Sequence, residues 1–236
     1  ANIGDEYFLR ETPRDIAWHT EALLDREDPE DPLVLIRESS QSVLAGGSQI
    51  FIYTPDTRNL FSATVNALDT LGLTIMDARI ITSADGFSLD TYIVLDEHGT
   101  PIGEDWPRIE QIRKTLTETL KHPERFSSTV SRRMPRRHKH FDVPTQVVIS
   151  NDIVNDRTAV DIQTLDRPGL LAHIGRIFMR FEVLVQNARI ATLGERVEDV
   201  FFITDLDGEP VSDPALCQEL QETLTKELDD KNNGNS

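Results

Sequence analysis

Two hydrophobic periods alternate along this chain, and the change from one to the other is clearest in residues 158–171. Val160, Ile162 and Thr164 alternate with Asp161, Gln163 and Leu165, which predicts a strand with one apolar face. From Leu170 the period lengthens: Leu170, Leu171, Ile174, Ile177, Phe178 and Phe181 fall on one face of a helix. Asp166, Arg167, Pro168 and Gly169 lie between. Asp166 is an N-cap type of side chain, Pro168 suits a first helical turn, and Gly169 lets backbone approach backbone closely. A strand running straight into a helix start leaves unpaired N–H groups, suited to a small anion or carboxylate.

Residues 1–31 read as a separate lead-in. A helix is predicted from Thr12, with Pro13 at its first position and Ile16, Ala17, Leu23 and Leu24 as an apolar stripe. The charged, proline-bearing DREDPEDP (25–32) reads as a linker. Short strands are expected at 33–36 and 49–54, with a loop between them. A helix then carries Leu60, Phe61, Val65, Leu68 and Leu71. Strands near 74–82 and 88–96 follow, joined by SADG. A further helix turns Ile109, Ile112, Leu116 and Leu120 inward and ends at Pro123.

The second half repeats the first. At an offset of 110, Ile52, Thr54, Asp56 and Leu60 meet Ile162, Thr164, Asp166 and Leu170, and Ala78, Arg79, Ile80 and Thr82 meet Ala188, Arg189, Ile190 and Thr192. One residue is lost in the next hairpin, after which Asp90, Asp96, Gly99 and Pro101 meet Asp199, Asp205, Gly208 and Pro210. A gap placed in a turn is what a structural repeat tolerates. TQVVIS (145–150) precedes the second copy as LVLIRE (33–38) precedes the first, and no strand follows the last helix. Each unit is therefore expected to take its fourth strand from in front. The expected divisions are 1–31 lead-in, 32–123 first unit, 124–143 connector, 144–230 second unit and 231–236 tail.

Charge narrows the function classes. With 24 Lys plus Arg against 41 Asp plus Glu, the formal charge is −17. That argues against a nucleic-acid partner or an anionic membrane surface. Apolar runs are too short to span a membrane and no signal peptide opens the chain, so a cytoplasmic location is expected. The single cysteine, Cys217, reads as a small half-buried apolar residue. RRMPRRHKH (132–140) gathers basic residues within this acidic protein, either as a solvated connector or as a dock for an acidic partner. His138 and His140 have no further ligands at metal-binding spacing. GGS (46–48) is the form of a nucleotidyltransferase turn, yet the acidic pair needed to hold a divalent metal is missing from a following strand. No catalytic site, no metal and no cofactor are expected in these residues. RNA-recognition modules share a βαββαβ order, but RVEDVFFITD is acidic and lacks glycine where they are basic and glycine-rich.

The DRPGLL turn between an alternating strand and an amphipathic helix resembles the ACT domain, a small amino-acid-sensing βαββαβ module. The fold class expected is α+β: two ferredoxin-like, circularly permuted ACT domains after a short helical lead-in. A tandem of this kind behind DEYFLRETPRDIAWHT resembles the C-terminal region of the bifunctional PII-protein uridylyltransferase/uridylyl-removing enzymes, over nearly the whole chain. The resemblance implies a regulatory piece of a longer enzyme, whose upstream nucleotidyltransferase and hydrolase domains would use a divalent metal such as magnesium. It implies nitrogen sensing, in which glutamine shifts the enzyme from uridylylating the PII signal protein towards removing the UMP. Implied partners are glutamine, the upstream catalytic domains, PII through the full enzyme, and self-association through ACT units. The ligand's charged ends would meet the turns at Asp166, Arg167, Pro168, Gly169 and Leu170, and at Asp56, Arg58 and Asn59. Strand openings near Thr74 and Asp77, and near Gln186 and Asn187, would lie opposite. Thr57, Arg58 and Asn59 replace Arg167, Pro168 and Gly169 in the first copy, and Leu184 replaces Thr74 in the second. That points to unequal sites or a composite one. The alternative is a structural ACT pair that docks or dimerises without ligand.

Overall fold

The structure is a computed structural model, and it describes residues 4–26, 28, 31–39, 46–125, 144–152, 157–193 and 196–233. The basic connector at 132–140 lies outside them. Two lead-in helices, α1 (Asp5–Arg10) and α2 (Pro13–Leu24), precede two similar halves. The first comprises β1 (Leu33–Glu38), β2 (Ser48–Pro55), α3 (Leu60–Thr70), β3 (Thr74–Ile81), β4 (Phe87–Leu95) and α4 (Trp106–Lys121). The second comprises β5 (Gln146–Asp152), β6 (Arg157–Leu165), α5 (Leu170–Arg180), β7 (Leu184–Leu193), β8 (Arg196–Thr204) and α6 (Pro214–Asn233). It is an α+β fold built on one open sheet.

All pairings are antiparallel, and the eight strands run β1-β2-β4-β3-β7-β8-β6-β5. The leading strand of each half pairs with the second strand of that half, so β5 belongs beside β6 and not with the first half. The halves join through β3 and β7, where Arg79 stands opposite Arg189 and Asp77 opposite Ala191. Arg79 and Arg189 are equivalent residues of the repeat, so the junction is close to two-fold symmetric. The β3 and β7 edges thus meet within one chain, and β1 and β5 form the two outer strands of the sheet.

Strand alternation sorts side chains to two faces. Ile50, Ile52, Ala78 and Ile80 join Val160, Ile162, Ala188 and Ile190 in one core with the inner faces of α3, α4, α5 and α6. Phe51, Tyr53, Ile81 and Leu89 face the other way and pack with Tyr7 of the lead-in. Hence β2 is buried almost throughout, whereas β6 keeps its alternation, because the lead-in covers the back of the first half only.

Helix α2 starts as its sequence predicts, with Thr12 and Asp15 forming a reciprocal capping box. Of its aliphatic stripe, Ile16 and Leu23 pack partly buried against the sheet, but its most deeply buried side chains are polar. Asp15 and His19 are buried, while Ala17 and Leu24 are exposed. With Glu11 they form a polar row at helical spacing, received by groups on the sheet. Glu11 accepts from Thr91 Oγ1 at 2.9 Å and from Arg79 Nη1 at 3.2 Å, and Asp15 pairs with Arg37. His19 stacks on Phe51 with ring centroids 3.6 Å apart and shares a 2.7 Å hydrogen bond with Tyr7. Burial pushes the His19 imidazole down to about 3, so it is neutral there.

The turn ahead of α5 also departs from expectation. The N-cap position is Gly169, left-handed at φ +73°, with no side-chain cap. Asp166 and Pro168 lie ahead of the helix and do not cap or open it. Asn59 holds the same place at φ +68° in the first half, a conformation asparagine tolerates, so the two turns differ less than their sequences do.

Candidate functional site

The junction between the halves encloses two related clefts. The larger, about 500 Å³ with its mouth, is floored by Ile190, Val197 and Asp199 and bounded by the Asp166–Gly169 turn of the second half. Its opposite wall comes from the first half: Asp69 at the end of α3, and Thr74 and Ile75 where β3 begins. The smaller, about 430 Å³, reverses the arrangement, with Asp56, Thr57 and Asn59 of the first half facing Val183, Leu184 and Val185 of the second. Each cleft therefore opposes the turn of one half to the strand opening of the other. The helices that hold these walls touch closely: Ser62 Oγ on α3 donates to the Gly175 carbonyl on α5 at 2.6 Å.

Among the predicted residues, Asp166, Arg167, Pro168, Gly169, Leu170 and Thr74 come together in the larger cleft, and Asp56 and Asn59 line the smaller. Four do not line either. Arg58 pairs with Glu182 at 2.6 Å on the surface, bridging the halves. Asp77 lies 3.3 Å from Arg79, on the lead-in side of the sheet. Gln186 donates to Thr204 at 3.3 Å, and Asn187 is buried beside the junction. The β-bulges at Ile75/Asp77 and Val185/Asn187 shift the phase there, which alternation read from sequence could not anticipate. Arg167 lines the larger cleft but sends Nη1 to the Leu228 carbonyl at 2.8 Å. Ser48, in the glycine-rich turn, accepts from the Ile102 N–H at 2.9 Å, a structural bond.

Sequence reasoning missed the acids on the floors. Asp199 and its repeat partner Asp90 share the buried phase of their strands with Val197 and Phe201, and with Ser88 and Tyr92. An acid on an apolar face, recurring in both copies, was the available signal. Burial, and then the nearby charge of Asp166, push the Asp199 carboxyl up to about 8. Burial likewise raises Asp90 to about 7, with Asp56 adding to it.

A raised carboxyl means that the folded state holds the proton more tightly than the unfolded chain does. The stabilising contribution of protonated Asp199 is intact below the ordinary 3.8 and is lost as pH rises through about 8. Asn mimics the neutral acid in shape. Asp199→Asn should therefore melt like the parent only below about pH 3.8, and increasingly above it as pH rises towards about 8, with the full difference at about pH 9. Thermal melts across that range check this. A variant that tracks the parent throughout would place the ionisation of Asp199 elsewhere.

Residues 1–22 match the family model described as the uridylyltransferase GlnD fifth domain. Over 228 residues, 97% of this chain, the sequence is 54% identical to the bifunctional uridylyltransferase/uridylyl-removing enzyme of Pseudomonas putida and covers 25% of that protein. The enzyme of that name from Stutzerimonas stutzeri is 52% identical over 232 residues, 98% of this chain and 26% of its own. The chain thus spans about a quarter of the length of the curated relatives it matches. Among solved structures, an aspartate kinase from Synechocystis aligns with 78% of this chain and 28% of its own, at 16% identity and a TM-score of 0.44.

Proposed function

We propose that this chain is a regulatory tandem of circularly permuted, ferredoxin-like ACT units, in which an amino acid bound between the halves is the signal. The relatives' shared name supports a part in enzymes that add and remove uridylyl groups, and the resemblance in sequence favours glutamine as the ligand and nitrogen signalling through PII as the wider role. Catalysis would reside in other domains of such an enzyme, with its divalent metal; among the described residues no His, Cys, Asp and Glu group suits a metal. The fourth strand of each unit comes from in front, in the order β1-β2-β4-β3 and its mirror β7-β8-β6-β5.

The observation that carries the reading is the opposition of turn and strand opening across the junction. A ligand seated there touches both halves at once. It therefore binds unequally to any two arrangements of the pair, which is the requirement for a switch. A metabolite signal at millimolar level needs only about −4 kcal/mol, within reach of a few turn N–H groups and one carboxylate.

Calorimetric titration of the chain with L-glutamine, with L-alanine and L-glutamate as comparisons, tests it. Saturable binding that favours glutamine is expected. If none of the three binds, the structural reading stands instead, in which the clefts merely close the contact between two ACT units.

A further inference from the structure

The repeat lets the two clefts be compared residue by residue. In the smaller one the Asp90 carboxyl is served from its own half: Ser88 Oγ donates to Oδ1 at 2.5 Å. The Tyr92 hydroxyl lies beside the same carboxyl without meeting hydrogen-bond geometry. An offset of 109 carries Ser88, Asp90 and Tyr92 to Val197, Asp199 and Phe201, so the second copy keeps the acid and loses both hydroxyls. Asp199 is 1% exposed. Its Oδ1 receives a long bond, 3.4 Å, from the Ala191 N–H, and its Oδ2 has no hydrogen-bond partner among the described residues. A buried carboxyl oxygen left open costs stability until something satisfies it.

The surroundings decide what that something is. Asp166 from the turn and Asp69 from α3 line the same cleft, and Asp166 acts on Asp199 directly. Arg167 lines it too but is turned to the Leu228 carbonyl of α6, and Arg176 of α5 acts on Asp69. Three carboxyls converge on a half-enclosed space whose lining guanidinium is engaged elsewhere. Such a space favours a small cation that carries several donors, and an ammonium has three.

We propose that Asp199 is a ligand-binding residue: its Oδ2, with Asp166, accepts from the ammonium of an α-amino acid in the larger cleft, and that cleft alone is a ligand site. The proposal rests on the reading of the junction as an amino-acid site and names the group that reads the ammonium. In the empty cleft the Asp199 carboxyl is protonated at neutral pH, since burial and Asp166 both oppose its charge. An arriving ammonium reverses that preference. The proton leaves Asp199 for solvent as the ammonium takes its place, so the Asp199–ammonium pair carries no net charge, as the protonated carboxyl did, and the ligand's own carboxylate is left to the turn N–H groups. Asp90, already satisfied by Ser88, gains no comparable bond, which leaves the smaller cleft without a ligand.

Titration calorimetry of L-glutamine into the chain near neutral pH, repeated in phosphate and in Tris, counts protons through the difference in buffer ionisation heat. The expected result is one site per chain with release of roughly one proton per glutamine. Asp199→Asn should keep the fold and melt no lower than the parent, bind at least about tenfold more weakly, and release no proton. Binding without proton release in the parent, or an Asp199→Asn variant that binds as the parent does, overturns the role of Asp199 while leaving the amino-acid site in place. Two equivalent sites per chain overturn the single-cleft assignment. No binding by the parent removes the amino-acid reading itself, and the proposal with it.

Discussion

Replacing Glu11 with alanine is expected to cost about 3 kcal/mol of stability and to release the lead-in from the sheet. Glu11 and Arg79 are both buried, and removing the acid takes a carboxylate from the guanidinium in a low-dielectric site, where Asp77 at 3.3 Å is a more exposed counter-charge. Thr91 Oγ1 loses its acceptor at the same time. The loss of one of its carboxylate partners outweighs any gain from a smaller side chain, because the arginine is already desolvated. Urea unfolding gives the energy, and amide exchange over residues 5–24 reports the lead-in. A variant that unfolds like the parent would mean that the lead-in is held by its other contacts, the Asp15–Arg37 pair and the packing of Tyr7, His19, Ile16 and Leu23, without need of Glu11. The location gives this weight: Arg79 sits on β3, and the start of β3 forms a wall of the larger cleft. Lead-in and cleft are thus two ends of one strand.

The second large effect is expected at Gly175. A Cβ there would lie 2.8 Å from Ser62 Oγ and 3.1 Å from Ser62 Cα, and the second of these is backbone that cannot rotate away. Helix propensity alone favours valine over glycine by a few tenths of a kcal/mol. Overpacking at the seam opposes it with about 1–3 kcal/mol, and loss of the Ser62 bond adds about 1 kcal/mol. Gly175→Val should therefore be destabilising by about 3 kcal/mol, with the sign set by packing. Adding Ser62→Gly should recover part of the loss, giving a coupling well away from zero in a double-mutant cycle. A melting temperature equal to or above the parent's would show a loose seam between α3 and α5. Because both clefts are walled from both halves, the variant should lose glutamine binding as well.

Much of this architecture is legible in the chain. The switch from period two to helical period places β6 and α5 correctly, and the offset of 110 pairs the halves before any strand is seen. The place of each leading strand is legible too, since TQVVIS has a counterpart in LVLIRE and each pairs with the strand that follows it. What escaped has physical reasons. In the lead-in, Ile16 and Leu23 of the aliphatic stripe do pack against the sheet, but Glu11, Asp15 and His19 are buried more deeply, because the sheet offers Arg79, Arg37 and Phe51 to meet them, and no apolar periodicity signals that. Asp166 reads as a helix cap, yet a left-handed glycine at Gly169 takes that position and leaves the acid facing the cleft. Two bulges carry Asp77 and Asn187 away from the clefts. Asp199 and Asp90 recur in the repeat just as Asp205 and Asp96 do, but the latter pair sits at turns where the carboxylates accept backbone N–H groups, and recurrence alone does not tell the buried acids from these.

The claim that an amino acid is held across the junction, by the turn of one half and the strand opening of the other, is tested most directly by backbone amide NMR of the chain titrated with L-glutamine. The account predicts saturable shifts at residues 166–170 and, with the same apparent affinity, at Thr74 and Ile75, with little change at Asp56 and Asn59. Shifts confined to one half, or largest around Asp56 and Asn59, would contradict it.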